Sequence, residues 1–228
     1  MDALVNSLKA DMNVETVFKI PIFGGIPVYE SVVVTWIIIA AVLIACLLLT
    51  RNLSVEHPGK RQIALESFIE WLYKFFGETI GEKGKRYVPY LVSVLIYIAI
   101  SNLIGIIGFK PPTKDMNVTV ALSLMSIVLI EASGVIEKGP KRFAHSFAEP
   151  MPIITPINIL EIFIRPLSLC MRLFGNVLGS FVIMELLKLV IPVVVPALAS
   201  LYFDIFDGLI QAYVFVFLTS LFIRESVE

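Results

Sequence analysis

The chain has 228 residues, 57% of them hydrophobic, with mean hydropathy +0.88 and a net charge of −1. That composition lies far above a soluble globular domain and marks an integral membrane protein. There is no bulk positive charge, no basic tract, no zinc-spaced Cys/His cluster and no glycine-rich phosphate loop, so no nucleic acid partner and no cofactor are expected.

Met1 to Val28 is mixed in character, with Lys9, Lys19 and a turn at Phe23-Gly-Gly-Ile-Pro27. It lacks the charged stretch followed directly by an apolar core that a cleaved signal peptide requires. Ser31 to Thr50 is a run of 20 uncharged residues, sufficient to cross a hydrocarbon core of about 30 Å. Arg51, His57, Pro58, Lys60 and Arg61 close it. Between Glu66 and Ile80, apolar and aromatic residues recur at helical spacing while Glu66, Glu70, Lys74 and Glu78 stand four apart. One polar edge on an apolar helix predicts a helix lying in the membrane interface.

Val88 to Phe109 reads as the next span, with Ser93, Tyr97, Ser101, Gly105 and Gly108 expected to face protein. Lys110-Pro-Pro-Thr-Lys-Asp115 is a turn, and Val118 to Ile136 crosses back with Thr119, Ser123, Ser126, Ser133 and Glu137 along one side. Beyond a basic and proline-rich connection, Ile157 to Val190 runs for 34 residues, about 51 Å if helical throughout at about 1.5 Å per residue. Such a helix must be strongly tilted or broken near Pro166. Pro192 and Pro196 mark a hairpin, and Ala199 to Ile223 returns. Cys46 and Cys170, both in apolar runs, read as buried free thiols.

The expected fold is therefore an all-α integral membrane protein in one domain, 1–228, with about five membrane helices and an interfacial amphipathic helix. The last two helices form a long tilted hairpin over 157–224. If the spans alternate, Arg51, Lys60, Arg61, Lys74, Lys83, Lys85, Arg86, Lys138, Lys141, Arg142 and Arg224 share one side. Only Lys9, Lys19, Lys110, Lys114 and Lys188 lie toward the other. The bias of basic residues predicts segment 1–28 outside and the carboxyl terminus in the cytoplasm.

Two constellations carry chemistry. The first centres on Arg172, whose guanidinium keeps its proton at any biological pH and costs roughly 2.5–3.5 kcal/mol at mid-bilayer depth on insertion scales. At about 100° per residue, Glu161, Arg165, Ser168, Arg172, Gly175, Asn176 and Gly179 fall in one narrow sector. Its small and amide residues allow another helix to approach closely. Arg165 and Arg224, nearer the span ends, are compatible with an interfacial role. The second constellation is Asp204, Asp207, Gly208 and Gln211 on one face of the last helix, extended by Ser200. Carboxylates inside a span point to function, although Asp207 could also cap the hairpin. Glu185, on the preceding helix, lies near the same end; it could join this patch or pair with Lys188. Acids at the outer end, a fixed cation midway and basic loops inside make an interrupted path for a cation.

The stretches Pro156-Ile-Asn-Ile-Leu-Glu161, Arg165-Pro-Leu-Ser-Leu169 and Met171-Arg172-Leu-Phe-Gly-Asn176 resemble subunit a of F-type ATP synthases. Lys110-Pro-Pro-Thr-Lys-Asp-Met-Asn-Val-Thr119 and Leu209-Ile-Gln211-Ala-Tyr-Val-Phe-Val-Phe-Leu-Thr219 are similar to that family's patterns in the same order. The resemblance implies a non-catalytic, ion-translocating stator subunit working against a ring of proteolipid c subunits, beside peripheral-stalk b subunits and coupled to the soluble ATPase sector. Arg172 would be the essential arginine facing the ring carboxylates, with Asn176 and Gln211 as polar neighbours. The family often has an acid nine places after the arginine, where this chain has Phe181; Glu185, one turn on, would serve the outer half-channel with Asp204 and Asp207. A free-standing cation transporter or channel is the rival, but it would carry a structural repeat that is not visible here.

Overall fold

A computed structural model of the chain describes residues 16–20, 26–51, 53–54, 58–107, 109–146, 155–190 and 194–227. Thr16–Ile20 (β1) and Ile26–Tyr29 (β2) pair antiparallel. This small ladder is an addition to the all-α expectation; β-branched and aromatic residues concentrate in both segments, as strands favour. The turn expected at Phe23-Gly-Gly lies outside the described residues.

Most of the other described residues are helical: α1 (Glu30–Leu49), α2 (Lys60–Ile80), α3 (Val88–Leu103), α4 (Met116–Lys138), α5 (Pro140–Ser146), α6 (Thr155–Val190), α7 (Val194–Ser200) and α8 (Gly208–Val227). A π-helical segment, Leu201–Asp207, joins α7 to α8. Among the described residues, five stretches are long and apolar enough to cross a bilayer: Glu30–Leu49, Glu82–Ile107, Met116–Lys138, Thr155–Met184 and Leu198–Val227. The helix α2 is not among them. It buries Leu72, Phe76, Gly77 and Ile80 against the bundle and exposes Glu66, Glu70, Lys74 and Glu78, the two faces an interfacial helix needs. Gly81 and Gly139, at φ 82° and 78°, end α2 and α4 in a backbone region that glycine enters without penalty.

The core forms around α8, which packs on α3, α4 and α2. Leu91 and Ile98 of α3, Ile130 of α4, Leu169 and Leu173 of α6, and Phe215, Val216 and Ile223 of α8 are each at most 1% exposed. Thr119, Ser123, Ser126 and Ser133 line the buried face of α4. Thr119, Ser123 and Ser133 donate to carbonyls of their own helix at 3.0, 2.9 and 2.7 Å, which satisfies each hydroxyl without a partner helix. Small side chains there let α6 and α8 lie close.

Several expectations are corrected. Glu137 is exposed and pairs with Arg86 at 3.5 Å. Ser93 is also exposed and donates to the Pro89 carbonyl at 2.8 Å, because α3 buries the face of Leu91, Val94 and Ile98 instead. Gly108 and His57 lie outside the described residues. Cys170 is buried but Cys46 is exposed, since α1 buries only Ser31, Val34 and Ile38. The helix α6 continues unbroken through Pro166 for 36 residues, about 54 Å at about 1.5 Å per residue, so it lies oblique or projects beyond a 30 Å core. Pro192 is outside the described residues, and Pro196 is buried.

The bundle has two distinct ends. At one, Lys110 pairs with Glu30 at 3.3 Å, and Ser31 donates to Asp115 at 2.5 Å. At the other, Arg86 meets Glu137, Arg165 meets Glu225 at 2.7 Å, and the Ser226 hydroxyl donates to the Ile130 carbonyl at 3.0 Å.

Candidate functional site

The two sides of α6 face different surroundings. Leu169, Cys170 and Leu173 are buried against the chain, while Ser168, Arg172, Gly175 and Asn176 are exposed and Gly179 is half-buried. A methyl group added at Gly175 or Gly179 would meet nothing within 4 Å. The part of the stripe around Arg172, Gly175 and Gly179 thus leaves room for another helix. Arg172 projects from that open face, with no ion-pair or hydrogen-bond partner among the described residues. One helical turn on, Asn176 donates its amide to Gln211 of α8 at 2.5 Å.

Gln211 is the floor of a cavity of about 480 Å³ between α3, the 110–114 segment, α6 and the π-helical stretch. Asn102, Lys114, Ser180, Asp204 and Asp207 contribute its polar lining. Gln211 is 3% exposed and its amide nitrogen has no partner among the described residues. An orphaned donor is a costly thing to bury, which makes this a polar, hydratable recess rather than a packing gap. Ser180 donates to Asp207 at 3.4 Å, so α6 and the π-helical segment share the lining.

The spacing of Asp204, Asp207, Gly208 and Gln211 predicts one face of an α-helix. All four line the cavity, and Ser200 with them, yet the stretch bearing both acids is wound as a π-helix. Such segments recur at functional sites. Gly208 is needed where that winding ends, because an added methyl would stand 3.0 Å from the Asn102 side chain. Asn102 donates to the Gly208 carbonyl at 2.9 Å and accepts from Thr113 at 2.8 Å.

Not every expected residue joins this site. Glu161 pairs with Arg165 at 3.4 Å toward the opposite end of the bundle, away from the cavity. Ser168 is one turn before Arg172 on the open face. The backbone of Glu185 lies in α6, but its side chain is outside the described residues. Two contributors were not anticipated from sequence: Lys114 sits 3.2 Å over the ring of Phe181, and Asn102 braces the cavity wall. Away from the cavity, Glu131 lies half-buried in α4 within electrostatic reach of Arg165. Glu131 carried the same signal as Arg172, a charge within an apolar run. Among the described residues no cluster of His, Cys, Asp or Glu could hold a metal ion. The arrangement can accept a hydrated cation from one end, exchange it with carboxylates, and bar direct passage with a permanent charge.

A family model described as ATP synthase A chain matches residues 32–224. The chain is similar to ATP synthase subunit a of Moorella thermoacetica, 38% identical over 206 residues covering 90% of this chain and 94% of that one. It is also similar to the sodium-ion-specific ATP synthase subunit a of Propionigenium modestum, 32% identical over 219 residues, 89% and 75% of the two chains. For ATP synthase subunit a 1 of Hahella chejuensis the identity is 33% over 209 residues, 90% and 87%.

Proposed function

Because this chain belongs to the ATP synthase A chain family, and is thereby a multi-pass membrane subunit that translocates ions as part of the ATP synthase stator, we propose that Arg172 is the charge that separates two offset half-channels. A cation, H+ or Na+, enters from outside through the cavity lined by Asp204 and Asp207, a path to which the sequence pattern also assigns Glu185. It passes Asn176 and Gln211 and neutralises a carboxylate on a proteolipid c subunit docked on the open face of α6. The neutral site can then rotate into lipid, where an ionised one would be too costly. After a turn of the ring, Arg172 attracts the returning carboxylate and releases its ion toward the inner side, past Ser168 and Glu161.

The observation that carries this reading is the exposure of Arg172 on a glycine-lined face, one turn from the Asn176–Gln211 bond at the edge of the cavity. Each charge crossing gains about 2.3 kcal/mol per 100 mV, so several ions must pass per ATP. The hairpin 157–224 is then the channel unit of the single domain. Segment 1–28 lies outside, the carboxyl terminus is cytoplasmic, and the host membrane is the bacterial inner membrane. Peripheral-stalk b subunits hold the chain against the torque and link it to the soluble sector.

The test is ATP-driven pumping in membrane vesicles. Arg172→Ala should abolish pumping while the complex still assembles; retention of more than a small part of it would overturn the gating role. Arg172→Lys should fail too, because a compact ammonium lacks the planar fork and can lose its proton when desolvated.

A further inference from the structure

A second arginine stands on the stripe of Arg172, and it is not left open. Arg165 precedes Arg172 by seven residues, two helical turns less about 20°, so both project from nearly the same side of α6, about 10 Å apart along its axis at about 1.5 Å per residue. Arg172 is exposed, whereas the Arg165 side chain is only 13% exposed. The Arg165 guanidinium donates to Glu225 of α8 at 2.7 Å, lies 4.9 Å from the centre of the Phe222 ring, also of α8, and pairs with Glu161 of its own helix at 3.4 Å. An arginine that only anchored the span would carry its head into water. This one is drawn under, and its Nε is buried without a partner among the described residues. An orphaned buried donor costs stability, so the gain from holding Arg165 there lies elsewhere.

Side-chain bonds join α6 to α8 on both sides of Arg172. Asn176 meets Gln211 one turn toward the cavity, and Arg165 meets Glu225 two turns the other way. We propose that Arg165 is the positioning residue of Arg172: by gripping Glu225 and Phe222 it stops α6 from rolling about its own axis, so that the Arg172 guanidinium stays aimed at the docked ring under load. This rests on the reading of Arg172 as the charge that separates the half-channels. Each ring carboxylate that passes pulls Arg172 sideways, and a sideways pull on a side chain acts on its helix as a torque. Leu169 and Leu173 are buried behind the stripe, but apolar contact is non-directional and resists such a roll weakly. A planar guanidinium set between a carboxylate and an aromatic face is directional and resists it well. The Asn176–Gln211 bond alone would leave one pivot; the second bond fixes the segment at both ends. When α6 rolls, Arg172 swings off the ring and a carboxylate passes without giving up its ion. The ring then turns and carries nothing across.

The experiment compares the rate of ATP-driven ion uptake with the rate of ATP hydrolysis in vesicles of the reconstituted complex, at matched amounts of assembled complex. Arg165→Gln should lower the ions moved per ATP at least twofold while hydrolysis persists, and Arg165→Lys should recover most of the loss. Glu225→Gln, at a side chain 59% exposed, should shift the ratio in the same direction. Adding it to Arg165→Gln should lower the ratio no further, because both changes cut one bond. If Arg165→Gln does not assemble, Glu225→Gln carries the test by itself. Glu137→Gln, which breaks the Arg86–Glu137 pair at the same end of the bundle without touching α6, should leave the ratio at its wild-type value. A wild-type ratio with less assembled complex would overturn the proposal and reduce Arg165 to a stabilising pair, and additive losses from the two variants would overturn it too. The reading beneath it fails separately: pumping retained by Arg172→Ala removes the gate itself, whereas a silent Arg172→Ala beside an unaltered Arg165→Gln removes only the brace.

Discussion

Four glycines separate what this chain needs for itself from what it offers to a neighbour. At Gly134 an added methyl would run into Ser226 and Phe143, and at Gly208 it would press on Asn102, whereas at Gly175 and Gly179 it meets nothing. Gly208→Leu should therefore lower the accumulation of the chain in membranes, at an overpacking cost of about 1–3 kcal/mol. Gly175→Leu should leave accumulation unchanged, and even gain from helix propensity, yet lose most coupled ATP synthesis by blocking the docking face. Equal accumulation and equal synthesis in both variants would contradict this division. Asn102 gives a second contrast. Asn102→Ala strands the Thr113 hydroxyl, which costs about 1–3 kcal/mol when buried unpaired, and removes a second bond from the Gly208 carbonyl, so it should lower the melting temperature of the extracted complex more than Thr113→Val does. Arg172 was legible from sequence because a charge in an apolar run identifies itself. The role of Asn102 was not, since it depends on partners 11 and 106 residues away.

At the scale of elements, the pairing of α6 with the π-helical segment decides which positions are wet. Cysteines placed at Ser180 and Asp204, which line the cavity, should react with a membrane-impermeant thiol reagent added outside. Cysteine at Ser168, exposed on the open face beyond Arg172, should be shielded from that side. Labelling of all three from outside would remove the offset between half-channels. Phe215 is no use as a silent control, because it is 1% exposed in the core and would not react whatever the path. The spans themselves were legible: uncharged runs of 20 residues and a four-residue polar period leave little choice. The π winding at Leu201–Asp207 was not, because Leu-Tyr-Phe-Asp-Ile-Phe-Asp has no local breaker that announces it; the segment packs on α3. The grouping of Asp204 with Gln211 survived that change because Gly208 restores α winding on the same cavity wall.

For the whole molecule, the bundle is closed around α8, and two of its open flanks contrast. One is α1, where Leu43, Leu47 and Leu48 are more than half exposed, an apolar surface suited to lipid. The other is the face of α6, where an uncovered guanidinium sits among glycines. Charge bias along the chain made the two ends legible, but which flank expects protein depends on the depth of Arg172 and the emptiness around Gly175, and the latter exists only in three dimensions. That open face also has a bearing on biogenesis. Newly inserted chain without a neighbour presents Arg172 to hydrocarbon, a state that costs roughly 2.5–3.5 kcal/mol on insertion scales and is relieved only by docking. The subunit should therefore be a late joiner and a short-lived orphan. In pulse-chase labelling of cells lacking the proteolipid, it should be cleared by membrane proteases within a few generations' fraction of its normal lifetime, and Arg172→Leu should lengthen the survival of the orphan even as it ends its usefulness.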